Sequence, residues 1–326
     1  MRLMLSLGAG VCVLFVASLL IGPAEAGLGE SIMALLKGGD SPIAMVMREI
    51  RLPRALLALM IGASLGVAGA AMQGYLRNPL ADPGLIGVSG SAALGAVLSI
   101  QTGIAGAVAF ALPASALAGA LIGVFAVMAL AGPRGSSLTL ILAGIAISAL
   151  AGALTSLVLN LSPNPFAANE IVFWMMGSLA DRSMVHVWIA LPLILIGCLM
   201  LMRTARGLDA LTLGEDAAAA MGINLTRLRL TLIFGTAAVV GASTAVAGAI
   251  GFVGLVVPHI LRPFVGARPG ALLWASGLGG AIMLLAADIA VRMILPERDL
   301  KLGVLTAIVG APLFLHLIYR TRREGL

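Results

Sequence analysis

Ten stretches of this sequence run on with almost no charged residue, and together they leave such a chain few ways to fold. They lie at roughly 3–21, 56–75, 85–100, 107–131, 138–161, 185–202, 230–249, 250–261, 271–289 and 304–319. Most approach the ~20 apolar residues that a helix needs to cross the hydrocarbon of a bilayer. No water inside lipid satisfies a bare backbone amide, so each stretch must close its hydrogen bonds internally, as a helix does. The polar faces at helical spacing that a soluble domain needs are almost absent. Of the 326 residues 60% are hydrophobic and 10% charged, against about 25% charged in a soluble domain. The expectation is an all-α integral membrane protein of about ten transmembrane helices, one domain over residues 1–326, with the lipid bilayer as its first partner.

The net charge of +6 does not indicate nucleic acid. The basic residues stand singly or in short clusters between apolar blocks, as in membrane loops, and the aromatics are too sparse for a base-stacking platform. Cys12 and Cys198 both fall within apolar segments, which supports neither a disulfide framework nor a metal site. The opening run, Arg2 followed by apolar residues and then Ala24-Glu25-Ala26, has the outline of a signal peptide. Its apolar run is longer than such a core, which favours a retained first helix over 3–21. The eighth stretch is short and contains Pro258. With ten spans and the N-terminus inside, twelve of the twenty Lys/Arg face the cytoplasm; with nine the two sides draw level. The positive-inside tendency therefore prefers ten.

Gly62-Ala63-Ser64 and Val67-Ala68-Gly69-Ala70 recur as Gly241-Ala242-Ser243 and Val246-Ala247-Gly248-Ala249, and the same offset carries Pro79 onto Pro258. Small residues recur in packed membrane helices for packing reasons alone, but the constant offset favours a true repeat. Spans two and seven are an odd number apart, so the repeat is inverted, a pattern common in transporters.

Two stretches with prolines are expected to be non-helical at membrane depth, Arg77 to Pro83 and Gly254 to His259. They are either ordinary turns or parts of a pathway and its inner gate, with Asn78, Pro79, Leu80, Pro258 and His259 as its residues and Ser136 and Ser137 beside them. Between spans six and seven, within a cytoplasmic loop over about 203–229, Gly214-Glu215-Asp216 leads into an alanine run ending at Ala219, Ala220, Met221 and Gly222. Alanine favours helix and glycine ends it, so a short exposed helix is expected, with a docking surface for another protein as its natural use. Arg51 and Arg54 precede span two and Arg292 follows span nine, all on the outer side. They are either headgroup anchors, with Asp288 paired to Arg292, or a basic rim that receives a partner's carboxylates. His186, His259 and His316 are scattered, so no metal site and no catalytic residue is assigned. Gly132-Pro133-Arg134-Gly135-Ser136-Ser137 lacks the lysine of a nucleotide-binding loop. No hydrolytic constellation or carboxylate pair lies in the apolar spans, which argues against an intramembrane enzyme and against an ion-gradient-driven secondary transporter, the alternative reading.

These residues carry a resemblance. Arg51-Leu52-Pro53-Arg54, Gln73 to Pro83 with Asn78-Pro79-Leu80-Ala81, Leu142-Ala143-Gly144, Trp174-Met175-Met176-Gly177-Ser178, Gly251 to Arg262, Asp288 with Arg292, Gly303 to Ala307 and Gly310 to Phe314 stand in the order and spacing of one family. The chain resembles the permeases of importers for iron-siderophores, haem and cobalamin, the FecCD/BtuC type. The resemblance implies a permease subunit of a type II ABC importer in the bacterial inner (plasma) membrane, itself not an enzyme. It implies a homodimer with a second copy, two cytoplasmic ATPase subunits that bind the ATP and Mg, and a periplasmic substrate-binding protein. No cofactor bound by this chain and no nucleic acid are implied. It assigns Arg51, Arg54 and Arg292 to binding-protein docking, and Gly214, Glu215, Asp216, Ala219, Met221 and Gly222 to the ATPase coupling loop. One departure is that Asp299-Leu300-Lys301-Leu302 stands where the family often has Glu-Leu-Pro.

Overall fold

The computed structural model describes residues 2–22, 29, 33–34, 41–108, 110–132, 136–294 and 300–323. The described residues are helical with no strand. Apart from the single turns Pro42–Met45 and Ile104–Ala107, the α-helices are α1 (Arg2–Leu20), α2 (Leu52–Leu76), α3 (Val88–Gln101), α4 (Ala111–Ala131), α5 (Ser137–Asn160), α6 (Pro165–Met175), α7 (Met184–Arg203), α8 (Ala205–Leu211), α9 (Glu215–Ala220), α10 (Leu225–Ala247), α11 (Val253–Leu261), α12 (Pro269–Ile294) and α13 (Leu302–Arg323). Seven apolar helical segments among the described residues are long enough to cross a membrane. Three shorter ones, Val88–Gln101, Val253–Val265 and Leu302–His316, occupy the other three predicted spans. The helix α6 was not foreseen; Asn164 caps it by accepting from Phe166 N, with Pro165 at its first position.

Buried residues line most of α2, α10 and α12, whereas α1 buries only Ser18. Lipid tails are as apolar as leucine, so helices meet in a membrane where small side chains let backbones approach. Gly62 and Gly66 on α2 face Ser276 and Gly280 on α12: a Cβ on Gly62 would run into the Gly280 carbonyl, and one on Gly66 into that of Ser276. The same arrangement joins α3 to α4, where Gly95 meets the Ser115 carbonyl and Gly119 that of Ser91.

The repeat has a physical counterpart. Ser64 Oγ on α2 and Ser243 Oγ on α10 lie 3.4 Å apart, both buried and 179 residues apart in sequence. A residue that touches its own repeat equivalent marks the pseudo-two-fold axis of an inverted pair. The halves then diverge: α2 runs on through Gly69, but α10 stops at Ala247, where Gly248 turns left-handed at φ 73°.

One expectation is corrected here. Gly254 to His259 is helical, within α11, and the break lies upstream, over 248–252, where Phe252 also takes a positive φ of 68°. Pro258 lacks the amide that would bond the Gly254 carbonyl four residues back. Gln73 on α2 supplies a donor instead, with Nε2 3.4 Å from Gly254 O and 3.1 Å from Leu255 O. The helix survives its proline because another helix satisfies the freed carbonyl. By contrast 77–82 is non-helical, as expected, and only Pro83 at its end enters a 3₁₀ turn.

Candidate functional site

At one end of the bundle three arginines converge. Arg54 Nε lies 2.8 Å from Asp288 Oδ1, and Arg292 Nη2 lies 3.0 Å from Asp288 Oδ2, one turn along α12. Arg292 also donates to the carbonyls of Ser18 (2.9 Å) and Ile21 (2.8 Å) and to Ser18 Oγ (2.7 Å). Arg51 donates to the carbonyls of Leu19 (3.1 Å) and Leu20 (3.0 Å). The end of a helix leaves its last carbonyls unpaired and carries partial negative charge, so two guanidinium groups at the end of α1 satisfy both needs. A π-helical turn at Val46–Arg51 runs into α2 and sets Arg51 there. The three residues expected on an open basic rim are therefore brought together but turned inward: Arg51 is 3% exposed. Asp288 is fully buried and pairs with Arg54 as well as with Arg292.

At the opposite end, α2 stops with Arg77 in the left-handed region, φ 48°. Asn78 Oδ1 accepts from Leu80 N at 2.9 Å, Pro79 follows in the turn, and Asp82 Oδ1 accepts from Gly84 N at 2.7 Å to start a short 3₁₀ turn. Burial pushes the Asp82 carboxyl above the usual carboxylate range, and its bond from Gly84 N works the other way. Ser136 caps α5 by accepting from Thr139 N, and Ser137 is its first residue. Arg134 and Gly135 before them lie outside the described residues. Pro258 and His259 stand in α11. The predicted gate residues thus sit on three elements, and no described hydrogen bond joins Ser136 or Ser137 to the Asn78–Leu80 turn.

Sequence reasoning missed the residue that ties two of these elements. Gln73 is buried, and Arg262 Nη2 donates to its Oε1 at 2.8 Å, which fixes the amide for its two backbone bonds on α11. A lone amide inside an apolar span was the available signal. Nearby, a Cβ on Gly69 would strike the Gly254 carbonyl. A second junction unites three motifs: Ser178 N donates to Ala247 O at 2.8 Å and Gly303 N to Gly177 O at 3.1 Å. A Cβ on Gly303 would meet Met176 O and Ala249 O. Asp299 lies outside the described residues; Lys301 stands 5.4 Å from the centre of the Phe173 ring.

The loop between α7 and α10 holds the short helix α9. Gly214 (φ 105°) opens it, and Glu215 and Asp216 occupy its first turn, where negative charge suits the helix dipole. Ile223 N donates to Ala218 O and Gly222 N to Ala219 O, a Schellman ending that needs the left-handed Gly222, φ 83°. Ala218 packs inward, while Ala219 and Met221 face out, the latter 64% exposed beside Leu213 at 69%. Asp209 on α8 accepts from Gly270 N at 2.7 Å, so this region is bonded to the start of α12.

Apolar helices packed through small residues, an inverted repeat, and an exposed helix outside the bundle define a multi-pass membrane permease. The chain belongs to the FecCD transport family, whose sequence profile matches residues 10–320. It is 40% identical over 286 residues to the hemin transport system permease protein HmuU of Yersinia pestis, covering 85% of this chain and 84% of that one. It is also 40% identical over 280 residues to the cobalamin import system permease protein BtuC of Halobacterium salinarum, covering 84% and 73%. An uncharacterized ABC transporter permease, YvrB of Bacillus subtilis, is 38% identical over 305 residues, covering 92% and 84%. Among solved structures, a metal-chelate type ABC transporter in an inward-facing conformation superposes with a TM-score of 0.87 at 32% identity, covering 98% of this chain and 99% of that one.

Proposed function

We propose that this chain is the permease subunit of an ATP-driven importer that carries an iron chelate, as siderophore or haem, or cobalamin across the inner membrane. It works as a homodimer on two ATPase subunits, which hold the ATP and Mg, and receives cargo from a periplasmic binding protein. The observation that carries this reading is α9: a capped helix outside the bundle whose exposed face is Ala219 and Met221, bonded through its neighbour α8 to α12. Such a helix is suited to a cleft on a partner that moves, and Asp209 passes that movement to a long membrane helix. Gly214, Glu215, Asp216 and Gly222 shape it. The relatives named for hemin and cobalamin transport support the cargo class.

At the other end, Arg54 and Arg292 share one carboxylate, which leaves an excess of positive charge at the mouth of the bundle. A binding protein's carboxylates supply the missing counter-charge at Arg54, whose side chain keeps 15% exposure, while Arg51 and Arg292 hold the end of α1 behind it. The Asn78–Leu80 turn, Ser136–Ser137 and Pro258–His259 serve as the inner gate. A gradient-driven carrier is the poorer reading, because Asp288 is committed to two arginines rather than free to bind and release an ion.

Vesicles containing the chain and its ATPase partner test this. Accumulation of hemin, cobalamin or a ferric siderophore that requires ATP hydrolysis is the expected result. Accumulation by the chain alone on a proton or sodium gradient refutes it.

A further inference from the structure

A groove of about 590 Å³ opens between the end of α7 and the start of α10. Arg203, Arg206 and Arg227 line it together with Thr204, Asn224 and Thr231, and Gly222 and Ile223 close the side next to α9. The three arginines are exposed, and among the described residues none of them forms an ion pair. Asn224 is the cap of α10 and accepts from Arg227 N at 2.9 Å, so the positive end of a 23-residue helix adds to the same field. Directly along α7 from the groove, Leu199 is 62% and Ile196 53% exposed, and Leu230 on α10 is exposed too. A concentrated positive site thus continues into an open apolar strip that leads toward the hydrocarbon.

We propose that this groove binds the headgroup of an anionic phospholipid, its phosphate held by Arg203, Arg206 and Arg227 and one acyl chain laid along Ile196 and Leu199. Guanidinium forks match phosphate oxygens in pairs, and basic pockets between membrane helices at the cytoplasmic side are where anionic headgroups are recognised. A free phosphate would satisfy the arginines but leave the apolar strip without a role. A protein partner is drawn to α9, where the exposed apolar residues are, whereas the exposed side chains of the groove are Arg203, Arg206, Asn224 and Arg227. The inference is independent of the transport cargo; Gly222 of the coupling loop borders the groove, so binding of the ATPase partner is measured separately from lipid retention.

The test uses the full-length chain in nanodiscs of phosphatidylcholine mixed with phosphatidylglycerol, with retained lipid counted by native mass spectrometry. The wild-type chain is expected to retain phosphatidylglycerol in preference, and Arg203→Gln, Arg206→Gln and Arg227→Gln each to lower that retention about five-fold, since one arginine near a headgroup contributes about this factor. Arg48→Gln, an exposed arginine remote in sequence from the groove, leaves it unchanged. Single variants keep the result readable if the triple variant fails to fold. Four outcomes overturn the proposal: no preference in the wild type, unchanged retention in the three variants, release of the lipid by excess inorganic phosphate, or loss of ATPase-partner binding in the variants with lipid retention intact.

Discussion

Replacing Asp288 by asparagine keeps the shape of the side chain and removes its charge. In the native protein the carboxylate, fully buried, pairs with Arg54 at 2.8 Å and with Arg292 at 3.0 Å. Removing one member of a buried ion pair costs about 3–5 kcal/mol, because the remaining charge is stranded in a low-dielectric site. Two features place Asp288→Asn near the lower end, at about 3 kcal/mol. The Arg54 side chain retains 15% exposure, and Arg292 keeps its acceptors at Ser18 and Ile21. Arg54→Gln is far milder, about 1 kcal/mol, since Asp288 still has Arg292. Reversible unfolding in mixed micelles, followed by far-ultraviolet circular dichroism, measures both variants. Hydrogen exchange at the end of α1 should rise in Asp288→Asn, because Arg292 loses the carboxylate that aims it. If Asp288→Asn proves no more destabilising than Arg54→Gln, the carboxylate is not the centre of this network and the reasoning fails.

Three other expectations follow from the geometry. Gln73→Leu leaves the Gly254 carbonyl, opposite Pro258, without a donor and deprives Arg262 of its acceptor; it should cost about 1–3 kcal/mol, with faster hydrogen exchange confined first to α11, whereas uniform loosening of the bundle would contradict the assignment. Charge reversal at Glu215 and Asp216 opposes the dipole of α9 by only about 0.3–1 kcal/mol each, so stability should barely change while ATP hydrolysis in the assembled complex is uncoupled from uptake; normally coupled uptake refutes the role given to α9. Asp82 binds its proton more tightly in the folded chain than in the unfolded one, because burial outweighs the bond from Gly84. Stability therefore falls as pH rises from the ordinary carboxylate pKa to the raised one, and Asp82→Asn, which can still accept from Gly84, should flatten that slope; an unchanged unfolding profile from about pH 4 upward would show that Asp82 is not the titrating group.

Much of the fold could be read in the chain because hydropathy is a local property. The ten apolar stretches, the first helix over residues 3–21 and the alanine-rich turn between Gly214 and Gly222 all declare themselves within a short window. The repeat was visible because seven identical residues and a proline kept their spacing. What could not be read depends on partners far away in sequence. Pro258 looks like a helix breaker until Gln73, distant in the chain, is seen to occupy the carbonyl it frees. Arg51 and Arg292 look like outward anchors because nothing near them announces that the end of α1 will lie against them. The helix α6 escaped notice since its cap, Asn164, sits among prolines that read as a loop. Of the candidate site residues, those on the α9 loop follow from local propensity, whereas the inward turn of the arginines is a tertiary fact.

The meeting of Ser64 with Ser243 has a consequence for how such a chain arises and how it can be taken apart. A polypeptide half this long, inserted into the bilayer in both orientations, would bring that serine against the same serine of its sister, and fusing the two would freeze one member in each direction. Co-expressed halves divided in the loop between α5 and α6 should then find one another through this seam without a covalent link.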